Sequence, residues 1–86
     1  MGSGSGYKTR KVIRALEQLA NLHPNIFRFG RASKEGHKIT PIVGDGKSYP
    51  IPTKHTDINV YLVEVAGKKL EKLGVCTKEE FLEMVK

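Results

Sequence analysis

The spacing of the hydrophobic residues changes at Pro24, and this change points to a fold that combines a helix with a sheet. Before Pro24, the residues that would share one helical face are Val12, Ile13, Leu16, Leu19, Ala20 and His23. Their intervals of three and four predict an amphipathic helix. Thr9 is placed to cap its start, and residues 21–24 end it, because the residue before a proline is disfavoured in a helix.

The next part of the chain predicts a three-stranded antiparallel sheet. Extended patterns cover residues 26–31, 37–43 and 48–51. Turn-forming residues at 33–36 separate the first two strands. Residues 44–47, Gly-Asp-Gly-Lys, separate the second and third strands, and their Asp-Gly pair tolerates the positive φ angles of a tight hairpin.

Two details of this sheet are left open by the sequence. In the first strand, Ile26 competes with Phe27 and Phe29 for the buried face. In the second strand, Pro41 cannot donate a hydrogen bond to a neighbour. That strand is central in a simple meander, so either its pairing stops before Pro41 or a bulge interrupts it.

Residues 57–73 fit both a strand and a helix. Residues 58–65 are rich in β-branched side chains, whereas a helical stripe is formed by Ile58, Tyr61, Leu62, Val65, Ala66, Leu70 and Leu73. We favour the helix. Thr56 or Asp57 can cap its start, and Gly74 can end it.

A capping box at Thr77 and Glu80 predicts a short last helix. The element order is then α-β-β-β-α-α, an α+β fold with the helices packed on one face of the sheet. Residues 1–6, Met-Gly-Ser-Gly-Ser-Gly, have the composition of a flexible linker, so residues 7–86 are expected to form a single domain. No apolar run is long enough for a transmembrane helix, so no membrane is expected as a partner, and a lone cysteine cannot form a disulfide within the chain.

Positive charge is concentrated in the first two thirds of the chain. Residues 1–55 carry ten Lys and Arg against three acids, a net charge of +7, whereas residues 56–86 sum to −1. The natural partner of such a charge is a polyanion, and nucleic acid is the first candidate. A basic surface that serves only solubility is the alternative.

Five blocks of residues, taken in order, carry a family pattern. They are Lys11-Val12-Ile13-Arg14-Ala15-Leu16-Glu17, Phe29-Gly30-Arg31, Glu35-Gly36-His37-Lys38-Ile39, Pro52-Thr53-Lys54-His55, and Leu70-Glu71-Lys72-Leu73-Gly74-Val75 leading into Thr77-Lys78-Glu79-Glu80-Phe81-Leu82. In this order and spacing the chain resembles the HicA family of toxin ribonucleases, also called YcfA-like. The family typically has Gly-Ser-His-His where this chain keeps only the histidine, His37. It also has one residue between the later proline and histidine, where this chain has two.

The resemblance implies a fold like that of double-stranded RNA-binding domains. It implies a cytoplasmic, metal-independent endoribonuclease that cleaves mRNA as the toxin of a toxin–antitoxin pair. A HicB-like antitoxin protein is the implied protein partner, and His37, at the start of the second strand, is the implied catalytic residue.

His37 is also the best site candidate on its own chemistry. An imidazole can remove or deliver a proton when an RNA 2′-hydroxyl attacks its own phosphate, and nearby cations can stabilise the charge that develops. The cations close to it in sequence, which we predict to contact RNA, are Arg28, Arg31, Lys34 and Lys38. Lys54 and His55 can add a phosphate contact or a second proton-transfer group. His23, at the negative end of the first helix, is interpreted as structural.

Neither a metal nor a small-molecule cofactor is expected. The three histidines and Cys76 include no closely spaced ligand pair, and Cys76 is expected to be a free, reduced thiol. Residues 44–47 lack the spacing of a phosphate-binding loop and fit a hairpin turn.

Three functions are therefore compatible with the sequence. The first is a toxin ribonuclease that uses His37. The second is an RNA-binding module of the same fold that does not cut, because the neighbours of His37 depart from the family pattern. The third is a protein-interaction domain whose basic surface binds an acidic partner.

Overall fold

The computed structural model describes residues 6–34, 36–42 and 47–86. Its elements are β1 (Gly6–Lys8), α1 (Thr9–Leu22), β2 (Phe27–Ser33), β3 (Gly36–Pro41), β4 (Tyr49–Pro52), β5 (Asp57–Asn59), α2 (Val60–Leu73) and α3 (Lys78–Met84). The α+β class is confirmed, and β2, β3 and β4 are the three predicted strands. Of the hairpin predicted for residues 44–47, only Lys47 belongs to the described part.

The main sheet is antiparallel, with β3 between β2 and β4. Pro41 is paired with Phe27 of β2, whereas the β3–β4 pairing ends at Ile39 and Tyr49. Pairing with β4 therefore stops before Pro41, which is the first of the two alternatives. The irregularity in the β2–β3 ladder lies at the other end, between Arg31 and Ser33.

The two faces of this sheet differ in burial because side chains alternate along each strand. Phe27, Ile39 and Ile51 lie on the buried face. They join one hydrophobic core with the inner residues of the helices: Val12, Ala15, Leu16, Leu19, Val63, Ala66, Leu70, Phe81 and Val85, together with Ile58 of β5. Arg28 and Lys38 are exposed on the opposite face. The prediction that the helices pack on one face is confirmed.

The predicted element order omitted two strands. β1 and β5 pair antiparallel in a separate two-stranded sheet, with Tyr7 opposite Ile58. Gly6, predicted to belong to a linker, is part of β1 and is paired with Asn59. Each strand has only three residues, too few for a period to be recognised, and their pairing depends on contacts distant in sequence. Residues 1–5 are outside the described residues.

The start of α1 also differs from the prediction. Lys8 is the N-cap residue and has no side-chain capping hydrogen bond, whereas Thr9 is the first residue of the helix and is buried. The Thr9 hydroxyl donates to the carbonyl oxygen of His55 at 2.5 Å, and its backbone N–H donates to that of Thr56 at 2.9 Å. Thr9 therefore joins the helix to the segment after β4 instead of capping it.

α2 has standard capping residues at both ends, and α3 has one at its start. α2 is capped by Asn59, whose side chain accepts from the backbone N–H of Tyr61 at 2.7 Å, so the predicted caps at Thr56 and Asp57 are wrong. Gly74 ends α2 with a φ of 83°, as predicted. The capping box at the start of α3 is present, with Thr77 as N-cap. No helix within the described residues has an apolar stretch long enough to cross a membrane.

Candidate active site

His37 lies on the middle strand of the sheet, close to the end where β3 begins. It is paired with Arg31 of β2 on one side and with Ile51 of β4 on the other. Side chains two residues apart share a face, so His37 is on the same face as the buried Ile39. The imidazole is half-buried.

Two contacts fix the orientation of the His37 ring. Nδ1 lies 2.6 Å from the hydroxyl oxygen of Thr53 in a hydrogen bond whose donor depends on the imidazole tautomer. The ring also stacks on Phe29, with centroids 5.2 Å apart and planes 14° apart. With Nδ1 held by Thr53, Nε2 is the nitrogen left for a substrate.

The segment after β4 is attached to the same end of the molecule. Thr53 contacts His37, and two residues later the backbone is held by Thr9 at the start of α1. Lys54, between these attachments, and His55, whose carbonyl oxygen forms the second one, are both exposed. The fold thus places these two predicted site residues on a short segment anchored at the His37 site and at α1.

The other predicted RNA-contacting residues do not form one cluster. Arg31 is exposed and faces the same way as His37, its direct neighbour across the strands. Arg28 and Lys38 occupy alternate positions and therefore lie on the opposite, open face of the sheet. Lys34 is exposed in the turn that follows β2. Arg28 and Lys38 are therefore close to His37 in sequence but lie on the other side of the sheet, and the prediction that these four residues contact RNA stays a prediction.

The two residues that hold the ring were not predictable as site residues from the sequence. Thr53 lies two residues after Ile51, so by strand alternation it shares the face of Ile51 and His37. Once the pairing of β3 with β4 is known, this alternation predicts that Thr53 lies near His37. For Phe29 the sequence pattern indicates only a candidate core residue. Its position diagonal to His37 follows from the β2–β3 register, in which Phe29 pairs with Ile39.

Tyr49 helps to hold α2 over the sheet beside this site. It is half-buried, and its hydroxyl donates to the carbonyl oxygen of Leu62 in α2 at 3.2 Å. Burial, and to a lesser extent the nearby phenol of Tyr61, raises the pKa of Tyr49. The hydroxyl therefore keeps its proton and its role as a donor.

The remaining histidine and the cysteine lie apart from this arrangement. His23 is the C-cap residue of α1, and its backbone N–H donates to Leu19 at 2.9 Å. Cys76 is a half-buried free thiol whose pKa is raised by burial and by the carboxylates of Glu80 and Glu71. A raised pKa lowers the thiolate fraction and makes a nucleophilic role unfavourable. Within the described residues no group of three His, Cys, Asp or Glu side chains could hold a metal ion.

The structure thus defines an α+β domain with a positioned imidazole at one end of its sheet and an exposed arginine, Arg31, at the paired position of the neighbouring strand. Comparisons with protein-family models, curated proteins and solved structures gave no match. A functional proposal must therefore be based on the chemistry of the His37 site.

Proposed function

We propose that this protein is a metal-independent endoribonuclease whose general base is His37. The observation that carries the proposal is the fixed imidazole, hydrogen-bonded through Nδ1 to Thr53 and stacked on Phe29. The charge of +7 in residues 1–55 and the resemblance of the residue blocks to HicA ribonucleases support RNA as the substrate.

The chemistry needs only side chains of the protein and water. With Nδ1–H donating to Thr53, the lone pair of Nε2 removes the proton from a ribose 2′-hydroxyl. The 2′-oxygen forms a bond to the adjacent phosphorus, and the bond from phosphorus to the 5′-oxygen breaks. That oxygen takes a proton from water or from His55. The products are a 2′,3′-cyclic phosphate and a 5′-hydroxyl.

Nearby cations would stabilise the transition state of this reaction. Arg31 is the cation paired directly with His37, and Lys54 follows Thr53 in the chain. As charge builds up on the phosphate oxygens, a preorganised guanidinium or ammonium group stabilises it more than mobile water does. Arg28 and Lys38 take no part in this step, because they face away from His37.

The biological setting in the proposal is a toxin on mRNA, restrained by an antitoxin protein. Its support is the resemblance to the HicA family together with the two exposed cations near His37, Arg31 on the paired strand and Lys54 next to Thr53. An antitoxin that covers Arg31 and Lys54 would block access of RNA to the imidazole.

A cleavage assay in EDTA tests the ribonuclease proposal. Purified wild-type protein is incubated with single-stranded RNA, and the product ends are identified by mass spectrometry. We expect cleavage that leaves cyclic phosphates, and loss of that cleavage in His37→Ala. His23→Ala is the matched control, because it removes a histidine outside the site. Wild-type protein that is folded by circular dichroism yet leaves RNA intact would refute the proposal, as would full activity of His37→Ala.

Thr53 is expected to act as a positioning residue for His37. Removing its hydroxyl in Thr53→Val should lower the cleavage rate about tenfold and the free energy of unfolding by about 1 kcal/mol, because one hydrogen bond is lost. Thr53→Ser keeps the hydroxyl and should restore the rate and its pH profile. Equal rates and equal pH profiles for Thr53→Val and wild type would show that this hydrogen bond does not orient the base.

Binding of RNA without cleavage is the second candidate. The observation that favours it is the position of Arg28 and Lys38, which put cations on the open face of the sheet, away from His37. Binding that persists in His37→Ala while wild-type protein cleaves nothing would select this candidate. The affinity should then fall with salt at a log–log slope of about −0.7 for each neutralised phosphate.

A further inference from the structure

The exposed side of α1 carries three cations in its first two turns. Arg10, Lys11 and Arg14, here called the α1 basic face, are all exposed, and the first turn contains no acid. Lys11 donates to a main-chain oxygen of Lys86 at 3.1 Å. Arg10 and Arg14 form no ion pair with any acid in the part of the chain that the structure describes.

Arg10 and Lys11, in the first turn of α1, are unfavourable for the free protein. The beginning of a helix carries partial positive charge, so basic residues there are repelled and acidic residues are stabilised. Lys8, the residue before α1, has a partner in Asp57 at 3.5 Å, but Arg10 and Arg14 have none among the described residues. An anionic partner would offset this repulsion.

The α1 basic face is linked to the His37 site by residues 53–56. Thr53 is hydrogen-bonded to His37, and the carbonyl oxygens of His55 and Thr56 accept from Thr9. Four extended residues span at most about 14 Å, so the start of α1 lies within a few nucleotides of His37 along an RNA strand. The exposed Lys54 lies between them.

The surface also has a shape that suits a nucleotide chain. A groove of about 420 Å³ runs beside the start of α1 and is lined by Lys8, Thr9, Arg10, Ile13 and Thr56. A smaller hollow of about 270 Å³ lies among the three residues of the α1 basic face. The cations provide contacts for phosphates, and Arg10 can also stack on a base.

We propose that a single-stranded RNA extends from His37 across residues 53–56 onto the α1 basic face, where Arg10 and Arg14 bind its phosphates. The inference rests on the proposed function and adds the path of the substrate. A single strand is required because the 2′-oxygen must come into line with the bond that breaks, and an unpaired backbone is free to do so.

A pair of charge reversals tests this path. R10E/R14E alters the proposed path, and K68E/K72E is the matched control, because both pairs are exposed, spaced by four residues on a helix and change the net charge equally. Affinity for a short, 2′-O-methylated single-stranded RNA, which cannot be cut, is measured against salt. In a plot of the logarithm of the affinity against the logarithm of the salt concentration, we expect the slope for R10E/R14E to be shallower than for wild type by about 1.4. Each lost phosphate contact accounts for about 0.7 of this change. The slope of K68E/K72E should stay near the wild-type value.

Two further measurements separate a binding effect from unfolding or a damaged site. R10E/R14E should melt no lower than wild type, because the acid at position 10 suits the first turn of a helix and position 14 is exposed, and R10Q/R14Q should weaken binding less than the reversal. Cleavage of a dinucleotide should be unchanged in R10E/R14E, while cleavage of a longer RNA falls. Equal salt slopes for the two reversals would overturn the path even if wild-type protein cuts RNA. A shallower slope in a protein that never cuts would support the binding surface and refute the ribonuclease.

Discussion

Replacing Gly36 by alanine is expected to destabilise the protein by about 3 kcal/mol. A methyl group at this position would press against the carbonyl oxygen of Ile51 and lie 2.7 Å from the backbone nitrogen of Thr53 and 3.0 Å from Cα of Pro52. All three atoms belong to the backbone, so no side chain can move aside. β3 and β4 would have to separate at the position next to His37, and the hydrogen bond to Thr53 would be strained or lost.

Gly30→Ala provides the control for this prediction. Gly30 lies on the neighbouring strand, and a methyl group there meets no atom within 4 Å. Urea unfolding should show a clear loss of stability for Gly36→Ala and little change for Gly30→Ala. Similar midpoints for both variants would mean that β3 and β4 do not approach as closely as described.

The elements that the sequence predicted correctly are those with local causes. α1 has a full amphipathic stripe, Gly74 is suited to the left-handed end of α2, and Thr77 is followed by the glutamate of a capping box. β1 and β5 were missed because a three-residue strand has no periodic signal. The cap of α2 was misplaced for a related reason: residues 57–59 extend to pair with β1, and the helix begins only after Asn59.

The site was predictable in part. His37 stood out by its chemistry, and the structure holds it by Thr53 and Phe29. The sequence left open whether Ile26 or Phe27 faces the core, so the face of Arg28 could not be assigned. Phe27 is buried, and this puts Arg28 on the open face of the sheet. Closeness in sequence was then a poor guide, because adjacent strand residues point in opposite directions.

Phe27→Ala is expected to cost about 3–5 kcal/mol, the usual loss for a phenylalanine removed from a core. Phe27 is fully buried beneath the helices, with 0% of its surface exposed. A domain of 86 residues has a total stability of about 4–13 kcal/mol at about 0.05–0.15 kcal/mol per residue, so this one change removes a large share. The loss is measured by urea unfolding at low temperature, where the variant keeps a folded population.

Comparing Phe29→Ala with Phe27→Ala distinguishes a loss of core packing from a loss of orientation at the His37 site. Both residues lie on the same strand and on the same face of the sheet. Phe29 is half-buried and stacks on His37, a contact worth about 0.5–1.5 kcal/mol, so its removal should destabilise the protein less than Phe27→Ala. If the stack orients the base, Phe29→Ala loses cleavage activity per folded molecule, whereas Phe27→Ala keeps it. The reverse ranking of activities would show that the aromatic stack is only packing, and the orientation of His37 would then depend on Thr53 alone.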